Sequence, residues 1–513
     1  MPDEPVVVVG AGVAGLAAAV ELAARGRAVT VLERASTPGG KLREVEIAGQ
    51  RLDAGPTVLT LRGIFDELFA VAGTRLEEHL ALTPVSVLAR HAWGPDARLD
   101  LHADPERSTA AIGAFAGAAE ARRYTEFLAR SRRVYEALEA SFIRAPVPSV
   151  AHLVRHAGLR GLGALASASP FRSLWSTLGD HFHDPRLQQL FGRYATYLGS
   201  SPYQAPATLM LLAHVEQAGV WLVDGGMHRI AQVLAGLAIK LGATIRYESE
   251  ARTIEIVRGE TRGVILASGE RVAANAVIVN ADASALGDGL LGATAAPAAL
   301  AVPVAERSLS ALTWNIVADT EGFPLSRHTV FFSSDYAREF DDIFRRDMLP
   351  SEPTVYICAQ DRDDTGRRNG TGPERLLCLV NAPPTGDRRP FTSAEIESCE
   401  QRTFTLLERS GLRTRRTPDR TAITTPADFS RLFPGSGGSL YGRASHGWRA
   451  SFRRPGVRTR TRGLYLAGGS IHPGPGVPTA ALSGRLAAQA LSADLPSTGR
   501  CRRAATRGGT STH

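Results

Sequence analysis

The chain has 513 residues, 44% hydrophobic and 6% aromatic, with a net charge of +8 and a pI near 9.6. That length exceeds a single core and predicts two or three domains of an ordinary globular protein. No run of 18 apolar residues predicts a transmembrane helix, Met1-Pro-Asp-Glu-Pro5 carries no secretory signal pattern, and no nucleic-acid motif accompanies the basic charge. Lysine occurs only at Lys41 and Lys240, so arginine carries the charge. Two readings stand: attraction to anionic lipid headgroups, or a genome rich in arginine and alanine codons. Cys358, Cys378, Cys399 and Cys501 are widely spaced, which predicts reduced thiols in a cytoplasmic protein and no metal site.

In chain order, the first element is a buried strand, Val6–Val9, running into Gly10-Ala11-Gly12-Val13-Ala14-Gly15 and an alanine-rich helix to about Arg25. This GxGxxG pattern gives a tight turn at Gly10, backbone access for a pyrophosphate at Gly12 and close helix packing at Gly15. The positive helix N-terminus faces the phosphates. A second strand, Ala28–Leu32, ends at Glu33, 18 residues after Gly15, where an acid would bind adenosine ribose hydroxyls. Gly39-Gly40-Lys41 and Asp53-Ala54-Gly55-Pro56-Thr57 follow, and neither is needed for NAD. Both resemble the flavoprotein pattern, in which further glycine turns continue along the cofactor towards the ribityl chain and isoalloxazine.

Residues 109–142 read as helix, broken by Pro146 and Pro148, and 150–217 read as helical with breaks at Gly158–Gly163, Pro170, Pro185 and Pro202–Pro206. A helix with Ile230, Val233, Leu234 and Leu237 on one face follows Gly225-Gly226-Met227. Strands are expected over 243–257 (one or two, including Ala251), 263–266 and 276–279. Residues 300–430 alternate β-like runs (311–317, 354–359, 376–380) with a helix near 393–410. Near the C-terminus, Gly463-Leu-Tyr-Leu-Ala-Gly468-Gly469-Ser470-Ile-His472 leads through Gly476-Val477-Pro478-Thr479 into a helix to Ala490. Its N-terminus would present free N–H groups to an anion. The organisation expected is α/β: a discontinuous Rossmann-like FAD-binding domain (1–75, 215–290, 430–495), a helical substrate- or membrane-associating region (76–214), an α+β substrate domain (291–429) and a disordered tail (496–513).

Up to about residue 495 the chain resembles the carotenoid desaturases of the bacterial phytoene-desaturase type, closest to the 1-hydroxycarotenoid 3,4-desaturases, also called methoxyneurosporene dehydrogenases. Four stretches carry the resemblance: Gly10 to Lys41; Leu187-Gln-Gln-Leu-Phe-Gly-Arg193-Tyr-Ala-Thr-Tyr197 through Pro206; His214 through Met227; and Phe433 through Gly447 with the later Ala467 to Pro478. Lys41 stands where arginine is common and Thr479 where methionine is common. The resemblance implies noncovalent FAD held by Gly10, Gly12, Val13, Ala14, Gly15, Glu33, Gly40, Lys41, Gly55, Pro56, Thr57, Ala251, Gly468, Gly469, Val477, Pro478 and Thr479. It implies an acyclic C40 carotenoid with a C1 hydroxyl or methoxyl, losing two hydrogens across C3–C4 in spheroidene- or spirilloxanthin-type biosynthesis. It further implies peripheral association with the cytoplasmic side of the inner, photosynthetic membrane, and oxygen or a quinone as electron acceptor.

Such a reaction needs a hydride acceptor, which the flavin supplies, and no triad or metal; no HExxH, GxSxG or zinc spacing is present. His152 and Arg155, three apart on a predicted helix, are an acid–base candidate or a solvated surface pair. His472 lies in the C-terminal flavin motif, where its ring serves to fix the loop. Leu159 through Trp175 reads as an interfacial segment or as a core helix. Rival readings are a phytoene or other multistep desaturase or isomerase, a flavin amine oxidase, and a redox-inactive flavoprotein that binds carotenoid.

Overall fold

The computed structural model describes residues 5–495 apart from 168 and 170. The expected tail at 496–513 and most side chains of the 159–175 stretch lie outside the described residues.

Five strands form a parallel sheet in the order Leu464–Leu466, Ala276–Val279, Val6–Val9, Val29–Leu32, Thr244–Arg246. The central strand is Val-Val-Val-Val with every residue buried, as a parallel strand covered on both faces requires. The helix Val13–Ala23 is buried along its whole length, lying against His228–Lys240 and Val477–Asp494. Its approach to the last of these depends on Gly484, where a Cβ would sit 2.0 Å from the Ala14 carbonyl oxygen. Inside that seam Arg485 donates to the fully buried Glu21 at 3.2 Å and to Glu67 at 2.6 Å.

A larger sheet runs Leu412–Arg415, Ser310–Gly322, Glu374–Ala382, Val355–Ala359, His328–Phe331, Val87–Trp93, Ala97–His102, with Thr421–Thr424 also on Ser310–Gly322. All its pairings are antiparallel except His328–Phe331 with Val87–Trp93. The hairpin 87–102 corrects the expectation of a helical region over 76–214. Its strand 87–93 is tied into the sheet by His328–Phe331, a partner no local window contains, so tertiary pairing overrides the surrounding helical composition. Beyond it the region is helical: Pro105–Ala116, Ala118–Leu138, Val150–Ser167, Leu174–His181 and Pro185–Gly192. The helix Ser393–Arg409 lies where the sequence predicts it and starts with a Thr392–Glu395 capping box.

Asp53 joins the two sheets. Its carboxylate accepts from the backbone N–H groups of Met227 (2.7 Å) and His228 (3.0 Å) at the start of the helix His228–Lys240. Its backbone C=O accepts from Asn315 (3.0 Å) and Gln360 (2.9 Å) of the larger sheet. Burial pushes its carboxyl pKa up against those two N–H bonds. The start of the helix His228–Lys240 and the large sheet are therefore fixed relative to each other by buried hydrogen bonds.

Candidate active site

A cavity of about 980 Å³ runs between the two sheets, and it has two chemically distinct arms. The first is a cradle of backbone. Gly10 has φ +98° and Gly12 caps the helix Val13–Ala23 with no side-chain acceptor, so no side chain fills the space before its first N–H groups. A Cβ at Gly12 would lie 2.6 Å from the Asn280 amide nitrogen, one at Gly40 3.3 Å from the Gly12 Cα, and one at Gly55 2.0 Å from the Lys41 carbonyl oxygen. Glu33, 7% exposed, accepts from the Ala11 N–H at 2.7 Å and the Ala35 N–H at 2.8 Å. Lys41 donates to the Leu440 carbonyl at 2.6 Å and lies 5.3 Å over the Phe433 ring. Burial lowers its pKa, opposed by the nearby Asp282.

The C-terminal motif closes this arm. Gly468, Gly469, Val477, Pro478 and Thr479 line it, and Ala251 does so from the opposite side. The helix Val477–Asp494 starts after Gly476 without a side-chain cap, so a second positive N-terminus faces the cavity. Arg454 ties the surrounding loops, donating to the carbonyls of Tyr441 (2.9 Å), Gly469 (3.2 Å) and Arg443 (2.7 Å); burial lowers its pKa to about 10. His472 is off the lining. Its Nε2 bonds the Phe142 carbonyl at 2.9 Å, and burial takes its pKa down to about 4. That neutral ring fixes the loop.

Of the expected cofactor positions, Gly10, Gly12, Val13, Ala14, Glu33, Gly40, Lys41, Gly55, Pro56 and Thr57 line the same cavity as the C-terminal set. Gly15 alone does not. A Cβ there would lie 2.1 Å from the Gly10 carbonyl oxygen, so its task is helix-to-turn packing. Two glycine cradles, two uncapped helix N-termini and a buried acid at the end of the second strand fit a dinucleotide with its pyrophosphate at the first helix.

The second arm is apolar, walled by Leu209, Leu212 and Val215 from one side and Leu377 and Leu379 from the other. A polar group, Arg193, Tyr197, Tyr336 and Tyr356, lines the same cavity, and Tyr356 joins the two arms through its hydrogen bond to Thr57 and its pairing with Leu379. Arg193 donates to the Tyr197 hydroxyl at 2.9 Å and lies 5.5 Å from the Tyr356 ring. Tyr197 also donates to Glu216 at 3.3 Å, which accepts from Tyr194 at 2.6 Å; burial raises the pKa of that carboxyl. Tyr356 shares hydrogen bonds of 2.7 Å with both Thr57 and His328.

The outer part of the cavity is lined by Val150, Val154, Phe171 and Trp448, which are 46%, 51%, 77% and 38% exposed. His152 and Arg155 are not in the lining. His152 bonds the Ser141 carbonyl at 3.1 Å and stacks on His156 at 3.9 Å, and Arg155 is exposed. The helix turns Val150, Leu153 and Val154 to the cavity instead.

Comparison with known proteins identifies this architecture. The model of the flavin-containing amine oxidoreductases matches residues 13–492. The hydroxyneurosporene desaturase of Rubrivivax gelatinosus is 54% identical over 508 residues, 99% of this chain and 97% of its own. The 1-hydroxycarotenoid 3,4-desaturase of Flavobacterium sp. (strain P99-3) is 30% identical, covering 94% and 98%. A redesigned putrescine oxidase shares the fold at TM-score 0.61 and 14% identity, covering 96% of this chain and 99% of that one. The chain belongs to the flavin-containing amine oxidoreductase family, in the branch of the hydroxyneurosporene desaturases, and is an FAD-dependent oxidoreductase.

Proposed function

We propose that this protein removes two hydrogens across C3–C4 of an acyclic C40 carotenoid carrying a hydroxyl or methoxyl at C1. The observation that carries the reading is the single cavity joining the glycine cradle to an apolar arm with an exposed apolar mouth. In that cavity Gly10, Gly12, Val13, Ala14, Glu33, Gly40, Lys41, Gly55 to Thr57, Ala251, Gly468, Gly469 and Val477 to Thr479 hold the cofactor, with Gly15 setting the helix against the turn. FAD, when bound, supplies the hydride acceptor.

The chain's own part is orientation and exclusion of water. The leucine walls keep a polyene straight. Charge left on the carotenoid spreads along its conjugated system, so the adjacent proton is acidic and a weak acceptor suffices. No histidine among the described residues lines the cavity, and His152 and Arg155 have no part in the step. The exposed Val150, Val154, Phe171 and Trp448, with Arg172 and Arg449 beside two of them in the chain, meet the surface of the bilayer that stores the substrate. No helix among the described residues is long and apolar enough to cross it. Electrons leave to oxygen or a membrane quinone.

The test is anaerobic incubation of FAD-loaded protein with 1-hydroxyneurosporene in liposomes, with and without a quinone. Bleaching of the flavin with a red-shifted polyene is expected. Conversion of phytoene instead would move the protein to the multistep desaturases. Carotenoid binding with a flavin that stays oxidised for both would leave a carotenoid-binding flavoprotein.

A further inference from the structure

An oxygen on C1 and the C3–C4 bond are separated by few atoms. Four single bonds of about 1.5 Å place the oxygen about 5 Å from C4. Any group that reads that oxygen must therefore stand beside the reacting edge of the cofactor, not at the remote end of the apolar arm. The junction of the two arms is the place to look.

Most polar groups there are already occupied. The Tyr356 hydroxyl is shared between Thr57 and His328. The Tyr197 hydroxyl takes an N–H of Arg193 and gives its own proton to Glu216. Apart from the Thr313 hydroxyl, which is buried in the same lining without a partner, two groups are left over. Arg193 uses one N–H on Tyr197, and its other N–H groups have no acceptor among the described residues although its side chain lines the cavity. No carboxylate among the described residues lies within ion-pair distance of it. The Tyr336 hydroxyl is buried with no partner, on a residue 6% exposed that lines the same cavity within electrostatic reach of Arg193. A buried hydroxyl without a partner is costly, so Tyr336 is held for something that arrives, beside a guanidinium with N–H groups to spare.

We propose that Arg193 and Tyr336 form the anchor for the C1 oxygen of the substrate: Arg193 donates to that oxygen, and Tyr336 accepts the proton of a tertiary alcohol. The proposal rests on the desaturase reading above and names the chemistry that sets its specificity. Its position supports it. Tyr356, whose ring lies 5.5 Å from Arg193, touches Thr57 at 2.7 Å, and Thr57 belongs to the turn assigned to the flavin. The anchor is thus one side chain away from the cofactor arm, where the bond count requires it. An ether oxygen accepts from Arg193 but has no proton for Tyr336, so the same pair holds it through Arg193 alone. A saturated hydrocarbon end would strand both groups, which is how a site built for a hydroxyl rejects its deoxy analogue.

The experiment uses full-length FAD-loaded protein in liposomes with 1-hydroxyneurosporene and with 1,2-dihydroneurosporene, the same chain end lacking only the oxygen. Arg193→Met, Arg193→Lys and Tyr336→Phe are compared for kcat/KM, for carotenoid affinity by quenching of flavin fluorescence, and for flavin content and melting temperature. The wild type is expected to prefer the hydroxylated carotenoid strongly. Arg193→Met should lose about 100-fold in kcat/KM on it and less than threefold on the deoxy analogue, with affinity following the same pattern; Arg193→Lys should fall between. Tyr336→Phe should weaken the alcohol and spare the methyl ether. Equal losses on both carotenoids, or a preference unchanged in the variants, overturn the anchor while leaving the desaturase reading intact. A wild type inactive on both carotenoids overturns that reading and the anchor with it.

Discussion

Glu33 holds the first glycine turn before any cofactor arrives. Both carboxylate oxygens are used, one by the Ala11 N–H at 2.7 Å and one by the Ala35 N–H at 2.8 Å. Ala11 is fully buried and Ala35 is exposed. In Glu33→Ala the Ala35 N–H finds water, but the Ala11 N–H is left buried and unpaired. That loss is about 2–3 kcal/mol, or about 30- to 150-fold in the local opening equilibrium. The assay is hydrogen exchange of the deflavinated protein over peptides covering 6–16, read beside FAD affinity by titration. Exchange there should accelerate by that factor, with FAD bound correspondingly more weakly; Glu33→Gln, which keeps one acceptor, should show about a third of the effect. Unchanged exchange in the deflavinated Glu33→Ala protein, with FAD affinity alone reduced, would refute the argument that this side chain organises the turn.

Two further outcomes follow from buried charges. Arg485→Met leaves Glu21 fully buried with Arg25 (2.6 Å) and Gln489 (3.3 Å) as remaining partners. The cost should be about 2–3 kcal/mol in urea unfolding, below the full penalty of an orphaned charge, and Glu21→Leu with Arg485→Met should recover most of it; a double variant no better than the single one would refute this. Glu339, buried against the Thr354 N–H (3.0 Å) and the Asn381 amide (2.9 Å), has its pKa raised from 4.5 to about 7, chiefly by burial. Between pH 4.5 and 7 the folded protein therefore keeps a proton that the unfolded chain has lost, so stability falls as pH rises, by up to about 3 kcal/mol. Glu339→Gln cannot ionise and should flatten that part of the stability–pH curve; parallel curves for the two proteins would contradict it.

The glycine-lined arm of the cavity was legible because its pieces are local. Gly10 to Gly15 must turn whatever else the chain does, Glu33 is fixed by the strand before it, and the glycines from 468 to 476 precede a helix that starts at Val477, beside the predicted Pro478. Strands at Ser310–Gly322, Val355–Ala359 and Glu374–Ala382 fell close to their predicted positions because their apolar runs are bounded by breakers. The anchor cluster was not legible. Arg193 and Tyr197 come from the helical region and Tyr336 and Tyr356 from around the large sheet, and nothing in either stretch signals the other. His152 and Arg155 failed for a related reason: three-residue spacing places both on one helix side, but only packing decides whether that side meets a cavity, and here Val150, Leu153 and Val154 do.

The five-stranded sheet draws its strands from far-apart stretches of the sequence. Its central strand, Val6–Val9, is made long before its edge strand, Leu464–Leu466. At roughly 5–20 residues per second the first strand waits on the order of half a minute or more for its full complement of neighbours. During synthesis the early valines have Val29–Leu32 as their first available strand partner. The cradle gains its second helix N-terminus only once Val477–Asp494 has been released and has docked on Val13–Ala23.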